Sequence, residues 1–148
     1  MTNITSSPSL THSFASLEAD GWSRWDGEGF INLVGPFWTK GMGDAIIFGF
    51  LAEQRHHNRR GILQGGMMAT FLDHALGRYC RQDDLSRRQA TVQLDVHYMD
   101  ATQIGEFIVA RCEVVRRTRS LVFVRGVVTA GDRPVASAAG IWKILEAT

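Results

Sequence analysis

Between Gln89 and Met99 apolar and polar residues alternate. Val92, Leu94, Val96 and Tyr98 fall on one side of an extended strand, and Thr91, Gln93, Asp95 and His97 on the other. Gly105 to Val115, Leu121 to Ala130 and Pro134 to Leu145 also predict strands. Arg116 to Ser120 joins two of them, and Gly131-Asp132 joins the last pair as a hairpin turn. Upstream, the apolar run Ala45 to Ala52 predicts a buried strand, and Glu53 to Gly61 a polar loop. From Gly66 to Cys80 the pattern becomes helical. At about 100° per residue, Met68, Phe71, Leu72, Ala75, Leu76 and Tyr79 make a broad apolar stripe. Gly66, Ala69, Asp73, Gly77 and Cys80 make a second stripe of small residues, and only Asp73, His74 and Arg78 bring acidic or basic side chains. Such a helix is expected to be buried on most sides.

The first third is less regular. Residues 1 to 8 predict a polar, flexible tail. Leu10, Phe14 and Leu17 predict a helix from Ser9 to Ala19, ended by Gly21. Residues 22 to 44 set Trp22, Trp25, Phe30, Phe37 and Trp38 among glycines, which predicts an extended covering segment with at most short strands. Strand, loop, long buried helix and a run of antiparallel strands make an α+β pattern, one helix packed on one face of a sheet. The 148 residues are expected to form one domain, 1–148.

Composition narrows the function classes. A net charge of +1 calls for neither nucleic acid nor a membrane surface as partner. No apolar run approaches the roughly 20 residues of a membrane-spanning helix. The first residues lack the basic and apolar regions of a secretory signal. Cys80 and Cys112 are the only cysteines and form no CxxC pair, so a reducing, cytoplasmic setting is expected.

The segment Asn58 to Gly77, NRRGILQGGMMATFLDHALG, carries the candidate chemistry. Gly65 and Gly66 open a helix directly after a loop. A helix N-terminus presents unpaired N–H groups, and glycine lets a carbonyl oxygen approach them. Taken alone, the pair would serve to turn the chain. Asp73 adds weight, because an aspartate in the middle of an apolar helix carries a desolvation cost. Such a carboxylate is either a structural hydrogen-bonder or a catalytic group.

With these residues in view, the segment resembles the PaaI-like hotdog-fold acyl-CoA thioesterases. Their pattern is an asparagine, then His-Gly-Gly opening the central helix, then an aspartate on that helix. Asn58, Gly65 and Asp73 match it in order and spacing, and Thr91 falls where the family carries Ser or Thr on the next strand. The strand texts Ala90 to Tyr98 and Val114 to Val124 look similar too, and the resemblance covers roughly residues 28 to 145. Gln64 replaces the usual histidine. It still offers a donor and an acceptor, but it cannot titrate near neutral pH.

The resemblance implies a hotdog fold, an antiparallel sheet wrapped around one long central helix. It also implies a thioester hydrolase with no cofactor beyond the coenzyme A of its substrate. Asp73 would act as general base or as nucleophile. Gly65 and Gly66 would supply an oxyanion hole, Asn58 would orient water or thioester, and Thr91 would position the carboxylate or the water. The family's site lies between two subunits, which implies a homodimer or a dimer of dimers. Arg116, Arg117 and Arg119 are either a solvated turn or a grip on coenzyme A phosphates, and Gln64 and Gly66 are candidate substrate contacts. His56, His57, His74 and His97 lack metal-ligand spacing, so no metal is expected. A non-catalytic acyl-CoA-binding protein and a hotdog hydratase or dehydratase are the alternatives. The latter usually pairs a histidine with its acid, against which Gln64 argues.

Overall fold

The computed structural model describes residues 11–146. The expected tail at 1–8 and the first residues of the Ser9–Ala19 helix lie outside them. Helix α1 runs Phe14–Ala19, because the Ser13 hydroxyl accepts from the Ser16 N–H and caps it there. It is followed by β1 (Ser23–Trp25), α2 (Phe30–Val34), β2 (Phe37–Lys40) and β3 (Ile47–Leu51). Helix α3 spans Gly65–Tyr79, and β4 (Gln89–Tyr98), β5 (Phe107–Arg117), β6 (Leu121–Ala130) and β7 (Arg133–Ile144) complete the chain. The α2 helix corrects the expectation of only strands between residues 22 and 44.

All seven strands form one antiparallel sheet in the order β1-β2-β3-β5-β6-β7-β4. Helix α3 lies across one face. Phe71, Leu72, Ala75 and Leu76 are fully buried there against Phe37, Phe50, Ile108 and Val124. Burying each of the leucines and phenylalanines in this set is worth about 1.5–3 kcal/mol. On the opposite face α1 shields a smaller cluster of Leu17, Trp38 and Phe107. Strand β4 closes one edge of the sheet and pairs only with β7.

The small-residue stripe of α3 divides in two. Gly77 and Cys80 are buried; a Cβ at Gly77 would come within 2.9 Å of the Trp142 indole nitrogen, so the glycine admits Trp142 to the core. Gly66 and Asp73 are exposed, and Ala69 is half-buried. Eight of the fifteen α3 residues are buried and only Gly66 and Asp73 are exposed, so the helix is buried on most sides as expected, but Asp73 lies on its open stripe and is not the desolvated carboxylate the apolar pattern suggested.

Candidate active site

The α3 N-terminus is built by Gln64. Its backbone N–H donates to His56 O at 2.9 Å, and its side-chain oxygen accepts from the Met67 N–H at 2.9 Å. This is the cap that Ser, Thr or Asp more often provides. It uses the amide oxygen, which explains how Gln replaces the expected histidine without loss of the helix start. Gly66 leaves room for that side chain, since a Cβ there would lie 2.8 Å from Gln64 Oε1. Among the described residues, the Gly65 and Gly66 N–H groups donate to nothing in the chain. They are two of the orphan donors of a helix start, held open toward solvent.

Asn58 belongs to this loop rather than to the carboxylate. The His57 to Leu63 pairing folds residues 57–63 into a hairpin. The Asn58 side-chain oxygen accepts from the Arg60 N–H at 2.8 Å and holds the turn.

Asp73 meets Thr91. The Thr91 hydroxyl donates to Asp73 Oδ1 at 2.8 Å, between α3 and the edge strand. Strict alternation places Thr91 with Gln93, Asp95 and His97, on the face away from the helix. The structure reverses this through a β-bulge. Thr91 pairs with Trp142 and Gln93 with the adjacent Ile141, so Val92 is the extra residue. Paired residues share a face, so Thr91 joins Leu94, Val96 and Tyr98 on the α3 side. Val92, expected to be inward, stands 58% exposed.

Tyr98 was not expected at the site. Its hydroxyl donates to Gly65 O at 2.7 Å, and its ring lies where a Gly65 Cβ would touch it. A tyrosine on the helix-facing side of β4 was the available signal.

His74 is half-buried beside Asp73 and turns its ring toward β1 and β2. Its ring packs on Trp25 and Phe37, with centroids 4.7 and 4.9 Å apart, and burial, aided by Arg78 and Arg81, pushes its pKa down to about 4. It is a neutral, half-buried group at pH 7. The arginines of the β5–β6 connection separate. Arg117 donates to Cys80 O at 2.8 Å and lies 3.7 Å from Asp83, tying β5 to the α3 C-terminus. Arg116 and Arg119 are exposed. Cys80 and Cys112 are free thiols whose pKa values burial pushes up to about 12. Among the described residues no three His, Cys, Asp or Glu side chains converge as metal ligands would, and no helix is long and apolar enough to cross a membrane.

A pocket of about 570 Å³ is lined by Asp73 and Thr91 together with Trp25, His74, Gly77, Trp142, Arg78 and Arg81. A larger hollow of about 810 Å³ covers the opposite sheet face, around Asp95, His97, Arg111 and Arg125, away from Asp73. The two candidate features sit far apart on one helix. Gly65 and Asp73 are eight residues apart in α3, hence about 12 Å along its axis. A carbonyl bound at Gly65 is out of reach of the same chain's Asp73.

Comparison with known proteins agrees with this architecture. The family model described as the thioesterase superfamily matches residues 60–137. Mouse acyl-coenzyme A thioesterase 13 is 26% identical over 80 residues, 54% of this chain and 57% of its own length, so the chain spans little more than half of that relative. Zebrafish thioesterase superfamily member 2 superposes with a TM-score of 0.71 at 26% identity, covering 82% of this chain and 89% of that one. The phenylacetic acid degradation protein PaaI of Thermus thermophilus superposes with a TM-score of 0.71 at 17% identity, covering 80% and 100%. The fold is the hotdog fold of these neighbours.

Proposed function

The chain belongs to the thioesterase superfamily, and from that premise we propose that it hydrolyses acyl-CoA thioesters at a site shared by two copies of the chain. The observation that carries the reading is the Thr91–Asp73 hydrogen bond on a helix whose N-terminal N–H groups are unpaired. Mouse acyl-coenzyme A thioesterase 13, named for this reaction, is the relative in support.

The Gly65 and Gly66 N–H groups of one chain receive the thioester oxygen, and Asp73 of the second acts on water. Pairing two α3 helices antiparallel about Ala69 sets Gly65 of each against Asp73 of the other, twice, as a two-fold interface requires. The exposed stripe of Gly66, Ala69 and Asp73 permits the close approach. Thr91 holds Oδ1, which leaves Oδ2 to take a proton from water. The water oxygen bonds to the acyl carbon, and the tetrahedral oxyanion rests on the glycine N–H groups. The oxyanion then collapses, the C–S bond breaks, and the proton passes from Asp73 to the departing thiolate. Asn58 and Gln64 shape the loop that presents those N–H groups. Arg116 and Arg119 are free to meet coenzyme A phosphates, whereas Arg117 already serves the α3 end.

The test is thiol release from a panel of acyl-CoA thioesters by wild type and Asp73→Asn. Turnover lost in the variant supports the reading. Binding without turnover in wild type favours the non-catalytic alternative. In a single turnover in ¹⁸O-water, label in the acid supports water attack, and label in Asp73 instead assigns direct attack by the carboxylate.

A further inference from the structure

The pocket lined by Asp73 also holds two arginines that have no carboxylate partner among the described residues. Arg78 and Arg81 both line it. The carboxylates at this end of α3 are committed elsewhere: Asp83 takes Arg87 through bonds of 2.9 and 3.2 Å and lies 3.7 Å from Arg117. Among the described residues Arg81 Nη1 reaches only the Leu85 and Arg87 carbonyls, each at a long 3.5 Å, and its Nε is buried without a partner. Among the described residues, no hydrogen bond or ion pair engages the Arg78 side chain. Burial first, and then the charge of Arg81, lowers its pKa. His74 is neutral and adds no counter-charge. Asp73 is the one acid of the lining, five residues from Arg78 and so about 7.5 Å along the helix axis.

Arginines at a helix C-terminus commonly just complement the helix dipole in water. Two features set this pair apart. They repel each other on the wall of one open pocket, and the Asp73–Thr91 pair lines the same pocket. The same lining includes Trp25, Trp142 and Leu85, which suit a hydrocarbon chain, beside the polar His74 and Gln89.

Resting on the thioesterase reading above, we propose that this pocket is an acyl subsite for chains ending in an anion, with Arg78 and Arg81 gripping a distal carboxylate while the thioester carbonyl lies at Asp73. The substrate class is the half-thioester of a dicarboxylic acid. An extended covalent chain advances about 1.2 Å per bond, so an adipyl group, six bonds from its thioester carbon to a carboxylate oxygen, is on the scale of the helix rise from Asp73 to Arg78 and is the probe chosen. The distal carboxylate supplies the missing counter-charge, and two guanidinium groups can bind it by charge-assisted bonds.

The experiment compares adipyl and hexanoyl thioesters of N-acetylcysteamine, which match in length and carry no phosphate, with the corresponding coenzyme A thioesters. Wild type is expected to favour adipyl over hexanoyl in kcat/KM by about tenfold to hundredfold, the scale of hydrogen bonds to charged groups. Arg78→Gln and Arg81→Gln are each expected to reduce that ratio, and Arg81→Lys to retain part of it. Circular dichroism and melting of each variant exclude a folding defect as the cause. Hydrolysis of hexanoyl thioesters with no adipyl preference in wild type overturns the subsite while the thioesterase reading stands. A substitution effect confined to the coenzyme A thioesters overturns it too, and assigns the arginines to nucleotide phosphates. No hydrolysis of any thioester overturns both readings.

Discussion

The hydroxyl of Thr91, on the edge strand, donates to the Asp73 carboxylate of the central helix at 2.8 Å. The bond orients one carboxylate oxygen and leaves the other free. Asp73→Asn should retain the fold and lose at least about 10²-fold in kcat, because an amide cannot accept the proton. Asp73 is exposed in the single chain, so the melting temperature should change little. Thr91→Val should lose about tenfold in kcat by freeing the carboxylate, and Thr91→Ser should recover most of it. Steady-state kinetics on the three variants checks the order, and a Thr91→Val enzyme as fast as wild type would remove Thr91 from the mechanism.

Gly65 can be replaced by the one residue that deletes its N–H without disturbing the helix. Proline suits the first helical position, and Gln64 before it already has φ −69° and ψ 134°, which a residue preceding proline prefers. Gly65→Pro should keep the melting temperature within a few degrees and lower kcat by about 10²–10³-fold, the usual worth of an oxyanion donor. Mixing Gly65→Pro chains with Asp73→Asn chains should restore about a quarter of the sites after subunit exchange. In each mixed dimer one of the two sites is then intact. No recovery after proven exchange would place both groups in one chain's site.

The arginines of the β5–β6 connection should behave differently from one another. Arg117→Gln removes the bond to Cys80 O and should cost about 1–2 kcal/mol of stability, read by denaturant titration. Arg119→Gln should leave stability unchanged and raise KM for acyl-CoA at low salt, with less effect as salt screens the contact. An N-acetylcysteamine thioester lacks the phosphates and should not sense the change. Equal damage to both substrates would mean that Arg119 supports the fold.

His74 sets an acid limit. Its folded pKa is about 4 against an unfolded value near 6.5, so the unfolded chain binds more protons between those pH values. Its contribution is complete above pH 6.5 and is lost as pH falls toward 4, by up to about 3 kcal/mol. His56, also lowered by burial, acts in the same direction. His74→Phe should therefore flatten stability against pH across this window. Urea midpoints from pH 4 to 7 measure it, and an unchanged slope would refute the assignment.

The hydrophobic periods by themselves determined the long helix, the four strands that follow it and the antiparallel α+β architecture. They do so because one-sided burial repeats every 3.6 residues in a helix and every second residue in a strand. The spacing of Asn58, Gly65, Asp73 and Thr91 likewise marked the candidate site. Only the tertiary structure decided which face Thr91 takes. The Val92 bulge absorbs one residue and resets the alternation, and a bulge is a property of the β4–β7 pairing rather than of either strand. The α2 helix within the glycine-rich segment escaped notice because five residues are too few to show a period. Arg78 and Arg81 were unremarkable in sequence; they matter because the fold sends the nearby carboxylates to Arg87 and Arg117 and leaves this pair lining a pocket. Pattern along a chain records what each residue does to its own segment, whereas counter-charges and reach are set by segments that meet only on folding.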